Sequence, residues 1–175
     1  MRWLSVAQQE PPQKIKRVRL KIGDVFEVKT DSSAVRFFQY VADDVTQLSS
    51  YVVRVFKEAY GREEPLDIPR IVAGEAHFHA HVFLRNGIKQ QAWRKVGHAP
   101  PPDDLDVLFR DSGDYGNPEV TVSTNWYVWK INGPTEDVGK LLPQYQSAEI
   151  GVVITAGDLV YRMQHGEYDF IYPGF

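Results

Sequence analysis

The sequence contains no cysteine, which excludes a disulfide-stapled secreted scaffold, a thiolate nucleophile and any zinc site built on sulfur. No apolar run approaches a membrane span. The stretch Met1-Arg2-Trp3-Leu4-Ser5-Val6-Ala7-Gln8 is too short for a signal peptide, so a cytoplasmic location is expected. Excess positive charge is missing too: 20 Lys+Arg stand against 23 Asp+Glu, a formal net charge of −3. That balance disfavours a general nucleic-acid binder. Four enzyme signatures are absent: G-x-G-x-x-G after a strand, the P-loop, the G-x-S-x-G elbow and H-E-x-x-H. The adjacent pairs Asp43-Asp44 and Glu63-Glu64 read as solvated turn acids, because neighbours on a strand point to opposite faces.

What is present points to β structure. The chain has 175 residues, 43% of them hydrophobic and 13% aromatic, enough for one well-packed domain with a bias toward strands. Residues 1–14 read as an N-terminal arm, since Gln8-Gln9-Glu10-Pro11-Pro12-Gln13 is polar and proline-bearing. Residues 15–175 read as a single β-rich domain. Val25-Phe26-Glu27-Val28, Val35 to Val41 and Tyr51 to Phe56 are apolar, β-branched and aromatic runs separated by polar turns such as Thr30-Asp31-Ser32-Ser33. Asn86-Gly87 between Ala76–Arg85 and Ile88–Val96 predicts a hairpin with Gly87 at positive φ, although a short helix over Lys89 to Arg94 fits as well. Leu105 to Phe109, Val120 to Ile131, Ile150 to Ile154 and Tyr168 to Tyr172 complete the expected strands. Trp126 and Trp129 fall on opposite faces, so both sides of their strand should be covered. The clearest helix follows Thr155, with Asp158 in capping-box position and Gly166 as the stop. The expected class is mainly β (α+β), a twisted antiparallel sheet or partly open barrel with one short C-terminal helix.

His77-Phe78-His79-Ala80-His81 is where residue type and spacing suggest chemistry. On a strand all three imidazoles would share one face. Imidazole titrates near neutrality and is the commonest metal ligand. Yet zinc gathers about four ligands at roughly 2 Å, and His77 and His81 would stand roughly 13 Å apart along a strand. Two neighbours at most could share an ion, with Glu75 or His98 assisting. No acid follows the H-x-H pair within Val82-Phe83-Leu84-Arg85-Asn86, so cupin-type spacing fails. No metal and no cofactor is therefore expected. The alternation His77 to Phe83 also resembles the signature of the histidine-triad nucleotide hydrolases and transferases. That likeness implies His79 as nucleophile, flanked by His77 and His81. Two departures stand against it: no histidine precedes His77, and over ninety residues follow the motif.

Charge is unevenly spread. Asp103, Asp104, Asp106, Asp111, Asp114 and Glu119 form an acidic region interrupted only by Arg110, in a Gly- and Pro-bearing stretch expected at the surface. Such a region would steer a basic protein partner, with Trp93 and Tyr127 as aromatic contact candidates.

A broader likeness covers most of residues 15–172. It is carried by Lys21-Ile22-Gly23-Asp24-Val25-Phe26-Glu27-Val28 and Arg36-Phe37-Phe38-Gln39-Tyr40-Val41. The block from Ala80-His81-Val82 through Gly87-Ile88 to Trp93-Arg94-Lys95-Val96-Gly97 belongs to it too, as does Asp158-Leu159-Val160-Tyr161-Arg162-Met163 with Gly166 and Tyr168. These segments resemble the immunity protein 26 family of bacterial polymorphic-toxin systems. The resemblance implies a β-rich protein without catalytic residues that binds and neutralises a co-encoded toxin by occlusion. No nucleic acid and no membrane would be among its partners.

Overall fold

The structure is a computed structural model that describes residues 18–31 and 33–175; the expected N-terminal arm lies outside them. Among the described residues, eleven strands, three α-helices and one 3-10 turn, Pro143–Tyr145, follow one another. The strands are β1 (Asp24–Lys29), β2 (Ala34–Asp44), β3 (Ser50–Phe56), β4 (Tyr60–Gly61), β5 (Ala76–Val82), β6 (Trp93–His98), β7 (Leu108–Ser112), β8 (Trp126–Lys130), β9 (Glu136–Gly139), β10 (Glu149–Ile150) and β11 (Val153–Ile154). The helices are α1 (Ile68–Val72), α2 (Leu84–Lys89) and α3 (Ala156–His165). A large sheet runs β11-β5-β3-β2-β1-β6 with β4 paired to β2, and a small one runs β10-β7-β8-β9. Both are mixed, because β11 lies parallel to β5 and β10 parallel to β7. The expectation of a mainly β chain with a C-terminal helix holds. The sheets do not close into a barrel, and they are not wholly antiparallel.

The first three strands follow the apolar runs closely. Asp31 accepts the Ser33 and Ala34 amides at 2.6 and 2.7 Å and holds the turn between β1 and β2. One face of the large sheet buries Phe26, Phe38, Val53, Val55, Phe78 and Val82 against Leu159 and Met163 of α3. The other face is covered in two places. At one end Val25, Phe37 and Phe56 pack on Ile71 of α1. At the other, Val41 and Val52 meet Phe109 and Trp129 of the small sheet. Trp126 turns away from Trp129 into a separate cluster with Val128 and Leu141, so β8 is covered on both sides as its alternation required.

Helix α3 forms as its caps dictate. Thr155 and Asp158 complete a reciprocal capping box, and Gly166 ends the helix at φ 85°.

Four expectations change. Asn86-Gly87 is inside α2 rather than a hairpin turn, and β6 pairs with β1 instead of folding back on β5. Glycine is needed there for close approach: a Cβ at Gly87 would stand 2.0 Å from Cζ2 of Trp93. The run Ile150 to Ile154 splits at Gly151, and its halves join different sheets. Gly151 donates its amide to the Arg110 carbonyl at 2.7 Å and passes beneath Trp129, whose Cη2 would lie 2.0 Å from a Cβ. The strand expected from Val120 begins only at Trp126. Ser123 has already engaged the backbone, its hydroxyl accepting the Asn125 amide at 2.9 Å and its carbonyl the Trp126 indole at 2.9 Å. Lastly, Tyr168 to Tyr172 is irregular and packs as a strap of aromatic rings.

Candidate functional site

The histidine strand becomes β5, but its three imidazoles take separate roles. The register of β3 against β5 shifts so that Phe56 faces Ala76 while Val55 faces Phe78. His77 is therefore the extra residue of a β-bulge and drops out of the alternation. Its ring lies 5.1 Å from that of Phe78. Burial, with the charges of Arg36 and Arg162, holds its pKa below the usual histidine value.

His79 sits where the edge of β5 is not yet covered by β11. Its amide donates to Glu149 Oε1 at 2.8 Å, and its Nδ1 lies 3.9 Å from the same oxygen. Glu149 also accepts from Arg162 Nη2 at 3.1 Å. The Arg162 guanidinium lies 4.0 Å from the Phe78 ring centre and 4.7 Å from that of Tyr168. Burial works to raise the Glu149 pKa, but His79 and Arg162 together hold it below the ordinary value. The carboxylate thus closes a sheet edge and ties it to α3.

His81 is fully buried between the sheets, its ring 4.2 Å from that of Phe109. Its Nε2 stands 3.0 Å from Asp44 Oδ2, which also accepts the Trp129 indole N–H at 3.1 Å. The other Asp44 oxygen takes the amides of Gln47 and Asn132, both at 3.3 Å. Burial would raise Asp44, but hydrogen bonds from His81, Trp129, Gln47 and Asn132 hold it below the ordinary range. An ionised Asp44 requires the proton on His81 Nε2. Burial lowers the His81 pKa against the pull of Asp44, and its Nδ1 is buried without a partner. Asp44 is thus no solvated turn acid. Its neighbour Asp43 is exposed and takes the Tyr40 hydroxyl at 2.6 Å. Strand parity separates the two, but only the arrival of the small sheet buries the second.

These positions do not assemble a reaction centre from the three histidines. His81 is sealed, His79 borders a structural carboxylate, and His77 has left their face. Among the described residues, no three His, Asp or Glu side chains gather where they could hold a metal ion.

The acidic region divides likewise. Asp103 and Asp104 are exposed, and Asp106 is exposed while pairing with Lys130 at 2.6 Å. Asp114 is partly buried and accepts the Ser123 hydroxyl at 2.6 Å. Asp111 is not at the surface: it is buried, accepts the Ser112 amide at 2.8 Å and the Tyr127 hydroxyl at 3.0 Å, and burial raises its pKa. Tyr127 is half-buried and stacks on Trp129 at 5.7 Å. Burial and Asp111 push its hydroxyl up to about 12. Trp93 is 3% exposed and belongs to the core, its indole donating to the Leu84 carbonyl at 3.0 Å, so it is no contact residue. Two further exposed acids, Glu136 and Asp137, lie on the edge strand β9 and pair with Val128 and Tyr127. Lys130, the partner of Asp106, is two residues along from Val128. The small sheet therefore carries exposed acids from two separate segments. Sequence order hid that convergence.

Comparison with family models, curated proteins and solved structures gave no match. No helix among the described residues is long and apolar enough to cross a membrane.

Proposed function

We propose that this chain is a binding protein of the immunity type, which neutralises a co-encoded bacterial toxin by occluding its active site or substrate path. The observation that carries the reading is a division of labour. The three imidazoles stand apart: His81 is sealed between the sheets on Asp44, His79 borders the Glu149–Arg162 pair, and His77 is set off by the bulge in β5. Asp103, Asp104 and Asp106 in the segment before β7, and Glu136 and Asp137 on β9, face solvent. The segment resemblance to immunity protein 26 supports the same reading.

An occluding interface buries about 800 Å² per partner, and a few residues carry most of its energy. Rim acids would speed encounter with a basic toxin surface. The protein would act inside the producing cell, before the toxin leaves it. The test is co-expression with the toxin encoded beside this gene. Growth rescued by the chain, together with a purified one-to-one complex, is the expected result. A metabolic neighbour, or a toxin that kills equally with and without the chain, overturns the assignment.

A further inference from the structure

We propose that one end of the large sheet carries a binding pocket for a small hydrophobic carboxylate, an apolar group of leucine or phenylalanine size whose carboxylate rests on Arg85. The pocket has a volume of about 200 Å³. An apolar cavity of about 150 Å³ is enough to hold benzene. Its floor crosses neighbouring strands: Tyr51 of β3 pairs with Val82 of β5, and Val153 comes from β11. Leu48 and Phe83 flank it, and Phe83 is 47% exposed.

The polar equipment is sparse and of one sign. Arg85 donates its Nε to the Tyr51 hydroxyl at 3.0 Å, which fixes the guanidinium at the pocket. Its terminal amino groups have no hydrogen-bond or ion-pair partner among the described residues. No acidic side chain lines the pocket. Asp43, the acid at the end of the adjoining strand, is engaged by the Tyr40 hydroxyl. A guanidinium fork with free N–H groups beside an apolar cavity matches a carboxylate attached to an apolar group.

The lip is held at a cost. Ser49 adopts φ 46°, a left-handed conformation that non-glycine residues avoid. The Ser50 hydroxyl is buried without a partner. Unfavourable features retained together beside a cavity are a signature of binding sites. The chemistry of the pocket does not depend on the immunity reading, and the probes below test the pocket alone.

The experiment titrates isotope-labelled protein with 3-phenylpropionate and with 3-phenylpropionamide, which keeps the apolar group and removes the charge. The acid should shift the amide signals of Tyr51, Val82 and Arg85 saturably. The amide should bind about tenfold more weakly, the loss of about 1.4 kcal/mol expected when a charge-assisted contact goes. Arg85 is exposed, so Arg85→Gln should keep the fold, checked by its spectrum, and reduce the acid to the affinity of the amide. A peptide ending in phenylalanine separates the sources of such a group. If it binds about tenfold more tightly than the small acid, the ligand is a polypeptide carboxy terminus; equal affinity assigns the pocket to a free acid. Acid and amide binding equally, no saturable shift at these residues, or an Arg85→Gln variant that binds the acid unchanged would each overturn the proposal.

Discussion

Replacing Gly87 by alanine sets two physical effects against each other. Gly87 is inside α2, where alanine is favoured over glycine by about 0.5–1 kcal/mol through backbone entropy. The new methyl, however, would stand 2.0, 2.2 and 2.4 Å from Cζ2, Cε2 and Cη2 of Trp93. That indole cannot swing aside freely. Its Nε1 is bonded to the Leu84 carbonyl at 3.0 Å, and its ring meets Phe38 edge-on at 5.2 Å. Overpacking costs about 1–3 kcal/mol, and a displaced indole would leave a buried donor unpaired for about 1–3 kcal/mol more. The clash wins, for a net loss of about 1–5 kcal/mol after the helix gain is subtracted. In a chain of this size that lowers the melting midpoint by on the order of 10 °C. Urea unfolding of Gly87→Ala, Trp93→Phe and the double variant measures it. Phenylalanine removes the colliding atoms, so the double variant should be more stable than the sum of the single effects by about 0.5–3 kcal/mol. A hairpin turn with Gly87 at positive φ would also disfavour alanine, but without coupling to Trp93. An additive cycle, or an alanine variant as stable as the parent, refutes the packing argument.

The remaining expectations concern the polar sites and the surface. Asp44→Ala strips a buried carboxylate from His81 and Trp129 and should cost about 3–5 kcal/mol in chemical denaturation; a loss under about 1 kcal/mol, the range of a surface pair, would mean the two sheets do not depend on it. His81 has its folded pKa below its unfolded value of about 6.5, so its contribution is complete above that pH. As pH falls from there toward the folded pKa, the unfolded chain takes up the proton first and stability drops by up to about 1.4 kcal/mol per pH unit. His77, shifted the same way, adds to the fall, and His81→Gln should flatten the acid limb of a stability curve; an unchanged limb would exclude His81 as a source. Asp158→Ala removes the α3 capping box and should lower stability by about 1 kcal/mol, with helix content by circular dichroism as a second readout. On the proposed immunity function, changing Asp103, Asp104 and Asp106 to Asn should slow association with the toxin and flatten its salt dependence while the melting temperature stays put. Association unaffected at low ionic strength, where charges are least screened, would move the docking surface elsewhere.

Local chemistry was enough to set several elements. The apolar, β-branched and aromatic runs Val25 to Val28, Val35 to Val41 and Tyr51 to Phe56 became β1, β2 and β3, because such residues fit a sheet covered on both faces. Thr155, Asp158 and Gly166 bounded α3 because capping acts between residues a few positions apart. The opposite burial of Trp126 and Trp129 followed from strand parity.

What tertiary structure decided are the relations no short window contains. Asn86-Gly87 would suit a hairpin, but the β1 edge takes β6, and the Trp93 indole then requires a bare backbone at Gly87. The five residues Ile150 to Ile154 look like one strand, and parting at Gly151 lets each half complete a different sheet. His77 leaves the face of its neighbours through a register shift against β3, and Asp44 becomes a buried anchor only because Trp129 and Asn132 arrive from β8 and its following turn. For the same reason Asp103 and Asp104 stay exposed while Asp111, equally acidic in sequence, lies beneath Tyr127. Residue type fixes what a side chain is able to do; which partner reaches it depends on long-range pairing and register.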